Sequence, residues 1–164
     1  MKKTYIHIDT SGDCFEDDKI ILISGMKVDK NNSILSYFYE DIPAYSSPTL
    51  NQNYSFQNFK SDDLITSNVF RDKLAKFKNF ILGTVLISHY KYYEIEFLRR
   101  ALKNAGLEMI KNEWIDLQEN IITQNDFGGN IYDVAKKFKV ELGKKEDLFF
   151  VNNAVAEIHH RMVN

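Results

Sequence analysis

An almost unbroken apolar run near the start of the chain constrains the fold most. Residues 19–28 read KIILISGMKV, and such a run predicts a central strand that is covered on both faces. Residues 4–9 (TYIHID) and 33–39 (SILSYFY) are rich in β-branched and aromatic side chains, which predicts two more strands. Loops rich in Asp and Asn join the three runs. This order favours an antiparallel meander.

The rest of the chain predicts helices and one further strand. Residues 84–88 (TVLIS) predict a fourth strand, and residues 42–59, which hold both prolines, predict a long surface connection. Gly106 predicts a helix end. Apolar side chains at helical spacing predict helices at 68–80, 93–105, 113–122, 131–138 and 151–162. The sequence therefore predicts an α/β fold, in which three antiparallel strands and then parallel strands form a mixed sheet flanked by helices.

Composition excludes several classes of function. A length of 164 residues predicts a single domain spanning residues 1–164. A net charge of -2 excludes a strongly basic protein that binds nucleic acid through charge alone, though not a locally basic groove. Cys14 is the only cysteine, which excludes an intramolecular disulfide and a cysteine-based zinc site. No segment reaches the ~18 apolar residues of a membrane span, and Asp9 interrupts the apolar stretch of a signal peptide, so we expect a cytoplasmic protein away from membranes.

Three acidic residues stand where a folded site could form. Asp9 ends the first predicted strand, and Ser11 follows two residues later on the same strand face. Glu94 opens the helix after the fourth strand, and Glu157 lies on the last helix, five residues after Asn152. Taken singly, Asp9 also suits a turn, Glu94 suits a first-turn acid favoured by the helix dipole, and Glu157 suits a solvated helix face. A shared site requires folding to bring them together.

The order of these residues carries a resemblance to a known family. Residues 9–11 (Asp-Thr-Ser) stand where an Asp-x-Glu motif would lie, and residues 89–94 (HYKYYE) where His-Asn-x-x-Phe-Asp would lie. Residues 152–157 (NNAVAE) occupy the place of His-x-Ala-x-x-Asp, and residues 114–116 (WID) are similar to the stretch that precedes it. In these motifs the chain resembles the DnaQ-type 3′-5′ exonucleases of the RNase H-like superfamily.

The resemblance implies phosphodiester hydrolysis assisted by two Mg²⁺ or Mn²⁺ ions. It implies a catalytic set of Asp9, Glu94, Glu157 and Asn152, and metal ligands Asp9, Ser11, Glu94 and Glu157. Ser11 replaces a carboxylate with a neutral hydroxyl, and each Glu reaches one methylene further than the family's Asp. Asn152 cannot accept a proton as a histidine does. The departures imply that hydrolysis is weakened or lost, with as few as one ion retained.

Two functions stay open at this point. The first is an exonuclease-like protein that acts on or binds the 3′ ends of single-stranded DNA or RNA. The second is a non-catalytic module of the same fold that binds nucleic acid or a protein partner. The substitutions at Ser11 and Asn152 favour the second, whereas the acids at Asp9, Glu94 and Glu157 favour the first.

Further residues are candidates to support either function. Replacements for the missing groups would come from His7, Asp13 or His160. Taken singly, His7 also suits a structural histidine, Asp13 a solvated loop acid, and His160 a residue that complements the helix dipole. A rim that contacts phosphates and bases is predicted from basic and tyrosine side chains near Glu94, namely Lys91, Arg99, Arg100, Lys103, Tyr90, Tyr92 and Tyr93. A second basic cluster precedes the last helix, at Lys136, Lys137, Lys139, Lys144 and Lys145. A solvated charged face is the alternative explanation for both groups.

Overall fold

The computed structural model describes residues 1–42, 67–119, 130–144, 147 and 149–163. From residue 43 onward, the predicted connection at 42–59 lies outside the described residues, as does Lys145. Within the described ranges, no helix is long and apolar enough to cross a membrane.

Five strands form one mixed sheet in the order β3-β2-β1-β4-β5. The strands β1 (Lys3–Thr10), β2 (Ile20–Val28) and β3 (Ile34–Asp41) make the predicted antiparallel meander. The strands β4 (Val85–Ser88) and β5 (Trp114–Asp116) extend it in parallel from β1. The predicted fold class is confirmed.

Four helices have described bounds: α1 (Ser67–Ile81), α2 (Lys91–Asn104), α3 (Ile131–Lys137) and α4 (Phe150–Val163). Gly106 follows α2 with φ +64°, the left-handed conformation expected of a residue that ends a helix.

The helix predicted at 113–122 is wrong over its first residues. Residues 114–116 form β5, in which Trp114 pairs with Leu86 of β4. Helical conformation begins at residue 117, and residues 120–122 lie outside the described residues. A strand of only three residues is too short to show alternation, so the apolar spacing of the neighbouring residues dominated the prediction.

Two cores cover the two faces of the sheet. Successive side chains of β1 alternate between them, as the pleat requires. Ile6 and Ile8 pack under α1 and α2 with Phe77 and Leu98. Tyr5 packs on the other face, in the core formed with α3 and α4. Because β1, β4 and β5 run parallel, their carboxyl ends meet at one edge of the sheet, and that edge carries the candidate site.

Candidate functional site

Asp9 and Glu94 approach the same point at the carboxyl ends of β1 and β4. Asp9 lies next to an irregularity in the pairing of β1 with β2, and Glu94 belongs to the first turn of α2. His7 lies between them. Its Nε2 is 3.0 Å from Asp9 Oδ1, and its Nδ1 is 3.9 Å from Glu94 Oε1. We refer to His7, Asp9 and Glu94 as the carboxylate cluster.

Glu94 is the most perturbed acid of the cluster. Its side chain is buried, with 4 % of the residue exposed. Burial raises the pKa of this carboxyl well above its usual value, and the negative charges of Asp116 and Asp9 raise it further. Hydrogen bonding from the Ser88 side chain and the Ile8 backbone acts in the opposite direction. Oε2 of Glu94 is buried without a hydrogen-bond partner of good geometry among the described residues. Burial of an ionised oxygen without a partner is costly, and protonation of the carboxyl removes that charge.

Asp116 adds a third acid to this edge, beside Asp9 and Glu94, and it was not among the site residues predicted from the sequence. It ends β5, and its Oδ1 accepts hydrogen bonds from the backbone amides of Gln118 (2.9 Å) and Glu119 (3.2 Å). Burial raises its pKa above the usual value. Its place at the end of a parallel strand was the available signal, but that strand was predicted as a helix.

Ser11 takes part in the structure of the loop that follows β1. Its hydroxyl donates to Asp18 Oδ1 over 2.7 Å and accepts from the backbone amide of Lys19 over 3.1 Å. The other Asp18 oxygen accepts from the backbone amide of Cys14. Gly12 packs directly on this carboxylate, because a Cβ at that position would lie 2.5 Å from Asp18 Oδ2. The Ser11 hydroxyl is therefore occupied by loop contacts.

Asn152 and Glu157 face different ways on α4. Asn152 is fully buried, where it accepts from Ser24 Oγ at 2.8 Å and donates to the Tyr5 carbonyl at 3.0 Å. Ser24 is the β2 residue that pairs with His7, so Asn152 lies beside the carboxylate cluster. Both of these hydrogen bonds of its side-chain amide are nevertheless made inside the core. Glu157 is exposed and accepts from Arg161 Nε at 2.8 Å. The structure brings Asp9 and Glu94 together and places Glu157 on the outer side of α4.

The candidate replacement residues also differ in their positions. His7 is part of the carboxylate cluster. Oδ1 of Asp13 accepts from the Tyr93 hydroxyl at 3.2 Å, in the loop after β1. His160 is exposed near the end of α4. Of the three, His7 contacts both acids, and its spacing of two residues from Asp9 on one strand was the signal in the sequence.

The donor set does not fit the two ions that the resemblance implies. Hard divalent cations require several oxygen ligands directed at one point. In the described part of the chain, no group of three or more His, Cys, Asp and Glu side chains could hold a metal ion. Ser11 is bound to Asp18, Glu157 is bound to Arg161, and His7 contacts Asp9. Ser11, Glu157 and Asp9 are thus engaged with protein partners, and Glu94 is the assigned ligand with an oxygen that accepts no hydrogen bond from a described residue.

The predicted basic rim is partly neutralised by neighbouring acids. Arg99 forms an ion pair with Glu96 at 2.6 Å. Arg100 contacts Glu96 at 3.2 Å and Glu16 at 3.1 Å, and it also donates to the Phe15 carbonyl. Arg100 holds the loop after β1 against α2, and the ion pairs reduce the positive charge that both arginines offer to a phosphate.

Comparison with curated proteins finds two DNA polymerase III components. The chain is 24 % identical to DNA polymerase III PolC-type of Lactococcus lactis subsp. lactis (strain IL1403), over 99 % of this chain and 9 % of that protein. It is 26 % identical to DNA polymerase III subunit epsilon of Treponema pallidum (strain Nichols), over 69 % of this chain and 52 % of that protein. No family model matches the chain.

Solved structures of exonuclease I share the fold. The product-bound structure matches with a TM-score of 0.67 at 10 % identity, over 98 % of this chain and 42 % of that one. The complex of the E. coli enzyme with a dT13 oligonucleotide matches with a TM-score of 0.66 at 11 % identity, over 99 % and 40 %. The chain thus spans less than half of exonuclease I, and about half or less of these polymerase components.

Proposed function

We propose that this chain, a DnaQ-like 3′-5′ exonuclease by resemblance, binds the 3′ ends of single-stranded nucleic acid and that its two-metal hydrolysis is weakened or lost. Its similarity to DNA polymerase III components and its RNase H-like fold support the proposal. One observation carries the proposal. The His7 ring lies between Asp9 and Glu94, so a protein side chain stands between the two acids that should meet at the metal ions.

The chemistry of the cluster supports weakened hydrolysis. Two-metal catalysis depends on ionised oxygen ligands that hold both cations. Asp9 contacts the His7 ring, and the raised pKa of Glu94 favours its neutral form, which attracts a cation less strongly. At most one Mg²⁺ or Mn²⁺ ion would then be held, by Asp9 and Glu94. Removal of a general base costs a further ~10²- to 10⁴-fold in rate, and Asn152 cannot serve as that base.

Binding of a 3′ end uses the part of the cluster that solvent reaches. The His7 and Asp9 side chains are 26 % and 33 % exposed, whereas Glu94 lies beneath them. Asp9 would accept a hydrogen bond from a terminal 3′ hydroxyl through Oδ2, because its Oδ1 faces His7. Exonuclease I is solved with dT13 and with dA16 oligonucleotides, and we transfer single-strand binding from those structures to this chain.

An oligonucleotide assay tests both parts of the proposal. A 5′-labelled single strand with a free 3′ hydroxyl should bind more tightly than the same strand with a 3′ phosphate. In Mn²⁺ it should shorten slowly or not at all, and Asp9→Asn should remove any shortening that occurs. Rapid shortening by the unaltered chain would refute the loss of hydrolysis, and absence of binding would refute the nucleic-acid function.

A second candidate function is a non-catalytic module that binds a protein partner. The ion pairs of Arg99 and Arg100 favour it, because paired arginines attract phosphates more weakly than unpaired ones. The same assay separates the two candidates, since this alternative predicts no binding of any oligonucleotide.

A further inference from the structure

Five aromatic rings form a continuous array beside the carboxylate cluster. Tyr93 and Phe97 of α2 are 4.8 Å apart between ring centroids, and Phe15 from the loop after β1 packs on Phe97 at 5.0 Å. Tyr90 stacks on Tyr93 at 6.2 Å with an angle of 10° between the ring planes. Tyr92 meets the edge of Phe15 at 5.9 Å. We call these five residues the aromatic platform.

The inner part of the platform is held rigidly. The Tyr93 hydroxyl contacts Thr10 Oγ1 and donates to the Gly12 carbonyl at 3.2 Å. Arg100 donates to the Phe15 carbonyl. Burial is the main cause that raises the Tyr93 pKa to about 12, so this hydroxyl keeps its proton at neutral pH. Tyr90 and Tyr92 pack on these two fixed rings, which reduces the conformational entropy that they would lose when a planar ligand stacks on them.

The outer ends of the platform face solvent. Tyr90 is 46 % exposed and Tyr92 is 64 % exposed, although both carry large apolar rings. Tyr93 is adjacent in sequence to Glu94, and Thr10 is adjacent to Asp9. The exposed rings therefore stand next to the cluster, and they are attached to the same strand and helix that carry the two acids.

We propose that Tyr90 and Tyr92 stack on unpaired nucleobases next to the 3′ end, an inference that rests on the proposed function. Stacking does not select one base over another, because every base has a π-face. It does select single strands, since a duplex buries those faces. The nearby arginines are paired with acids, so affinity should depend on salt less steeply than it would for a rim of four unpaired basic side chains.

The structure supplies a matched control for this proposal. Tyr132 on α3 is also 46 % exposed, and α3 packs in the core on the opposite face of the sheet. Tyr132→Ala removes the same side chain at the same exposure, away from the platform. Tyr90→Phe and Tyr92→Phe keep the rings and remove the hydroxyls.

The test is fluorescence anisotropy of a 5′-fluorescein oligothymidylate with a free 3′ hydroxyl, titrated with each full-length variant after its thermal melt shows a folded chain. Loss of one stacked base should weaken binding about 5- to 150-fold, so Tyr90→Ala and Tyr92→Ala should each show a loss in this range. Tyr132→Ala and both phenylalanine variants should bind as the unaltered chain does.

Three results would overturn the inference. Unchanged binding by the alanine variants refutes the platform and leaves the proposed function standing. Equal affinity for a blunt duplex, or an affinity that falls steeply with salt, shows recognition through phosphates instead of bases. Absence of binding by the unaltered chain refutes this inference together with the proposed function.

Discussion

The part of the candidate site built by β1 and α2 differs from the part built by α4. In the first, Glu94 is buried next to Asp9 and His7, its pKa is raised, and one of its oxygens accepts no hydrogen bond from the described residues. In the second, Asn152 has partners for both ends of its amide, and Glu157 has an arginine partner at the surface. A costly buried acid is typical of a functional position, whereas satisfied groups are typical of structural ones. The difference favours a structural role for Asn152 and Glu157 on α4, and it places the perturbed acid on the side of the site built by β1 and α2.

The largest expected effect tests the structural role of α4. Asn152→Ala leaves Ser24 Oγ and the Tyr5 carbonyl without their partner in a fully buried place, and it opens a small cavity. We expect a loss of about 2–4 kcal/mol in the free energy of unfolding, measured by urea denaturation. Asn152→His, the residue of the resembled motif, should also destabilise the chain, because the ring is larger than the amide and the site is packed. A fully stable Asn152→His variant with increased strand cleavage would show that α4 belongs to the reaction site.

A smaller effect of opposite sign is expected at Glu94. A folded-state pKa raised above the unfolded value gives a stability contribution that is complete below the unfolded pKa and is lost as pH rises through the folded pKa. Glu94→Gln removes that dependence and should raise stability at neutral pH by on the order of 1 kcal/mol. Thermal melts of both chains from acid to neutral pH test this. If the difference between the melting temperatures of the two chains does not grow with pH, ionisation of the buried Glu94 does not destabilise the fold.

The smallest effect is expected at Glu157. Its ion pair with Arg161 joins residues four apart on an exposed helix face, and such pairs contribute about 0.3–0.5 kcal/mol. Glu157→Gln should change stability by no more than this and should leave oligonucleotide binding unchanged. Salt should remove even that small difference. A loss of binding in this variant would show that Glu157 belongs to the binding site, and the two parts of the site would then not differ as described.

Alternation and helical spacing account for most of what the sequence predicted correctly. The apolar run of β2 placed it at the inside of the sheet, and a two-residue step placed His7 and Asp9 on one strand face. The resemblance implied a shared site of Asp9, Glu94 and Glu157, and the structure brings Asp9 and Glu94 to the carboxyl edge of the sheet. The predictions of the sheet and of the strand faces depend on the periodicity of the residues and on the order of the segments along the chain. Both can be read directly from the sequence.

Other features depend on tertiary packing, which the periodicity of neighbouring residues does not predict. The strand β5 has three residues, and its pairing with β4 decides its conformation. The pairing of Ser11 with Asp18 depends on a loop closure that no short motif encodes. Helix geometry alone could have predicted that Asn152 and Glu157 face different ways, because side chains five residues apart on a helix point about 140° apart. Because Asn152 faces the core, Glu157 must point toward the outer face of the helix. The position of Glu157 in the motif does not predict this.

Calorimetric titration of Mn²⁺ into the folded chain tests most directly whether the carboxylate cluster has replaced the two-ion site. The account predicts at most one weakly bound ion per chain, and that ion should be lost in Asp9→Asn. Two bound ions per chain, both lost on the same substitution, would contradict it.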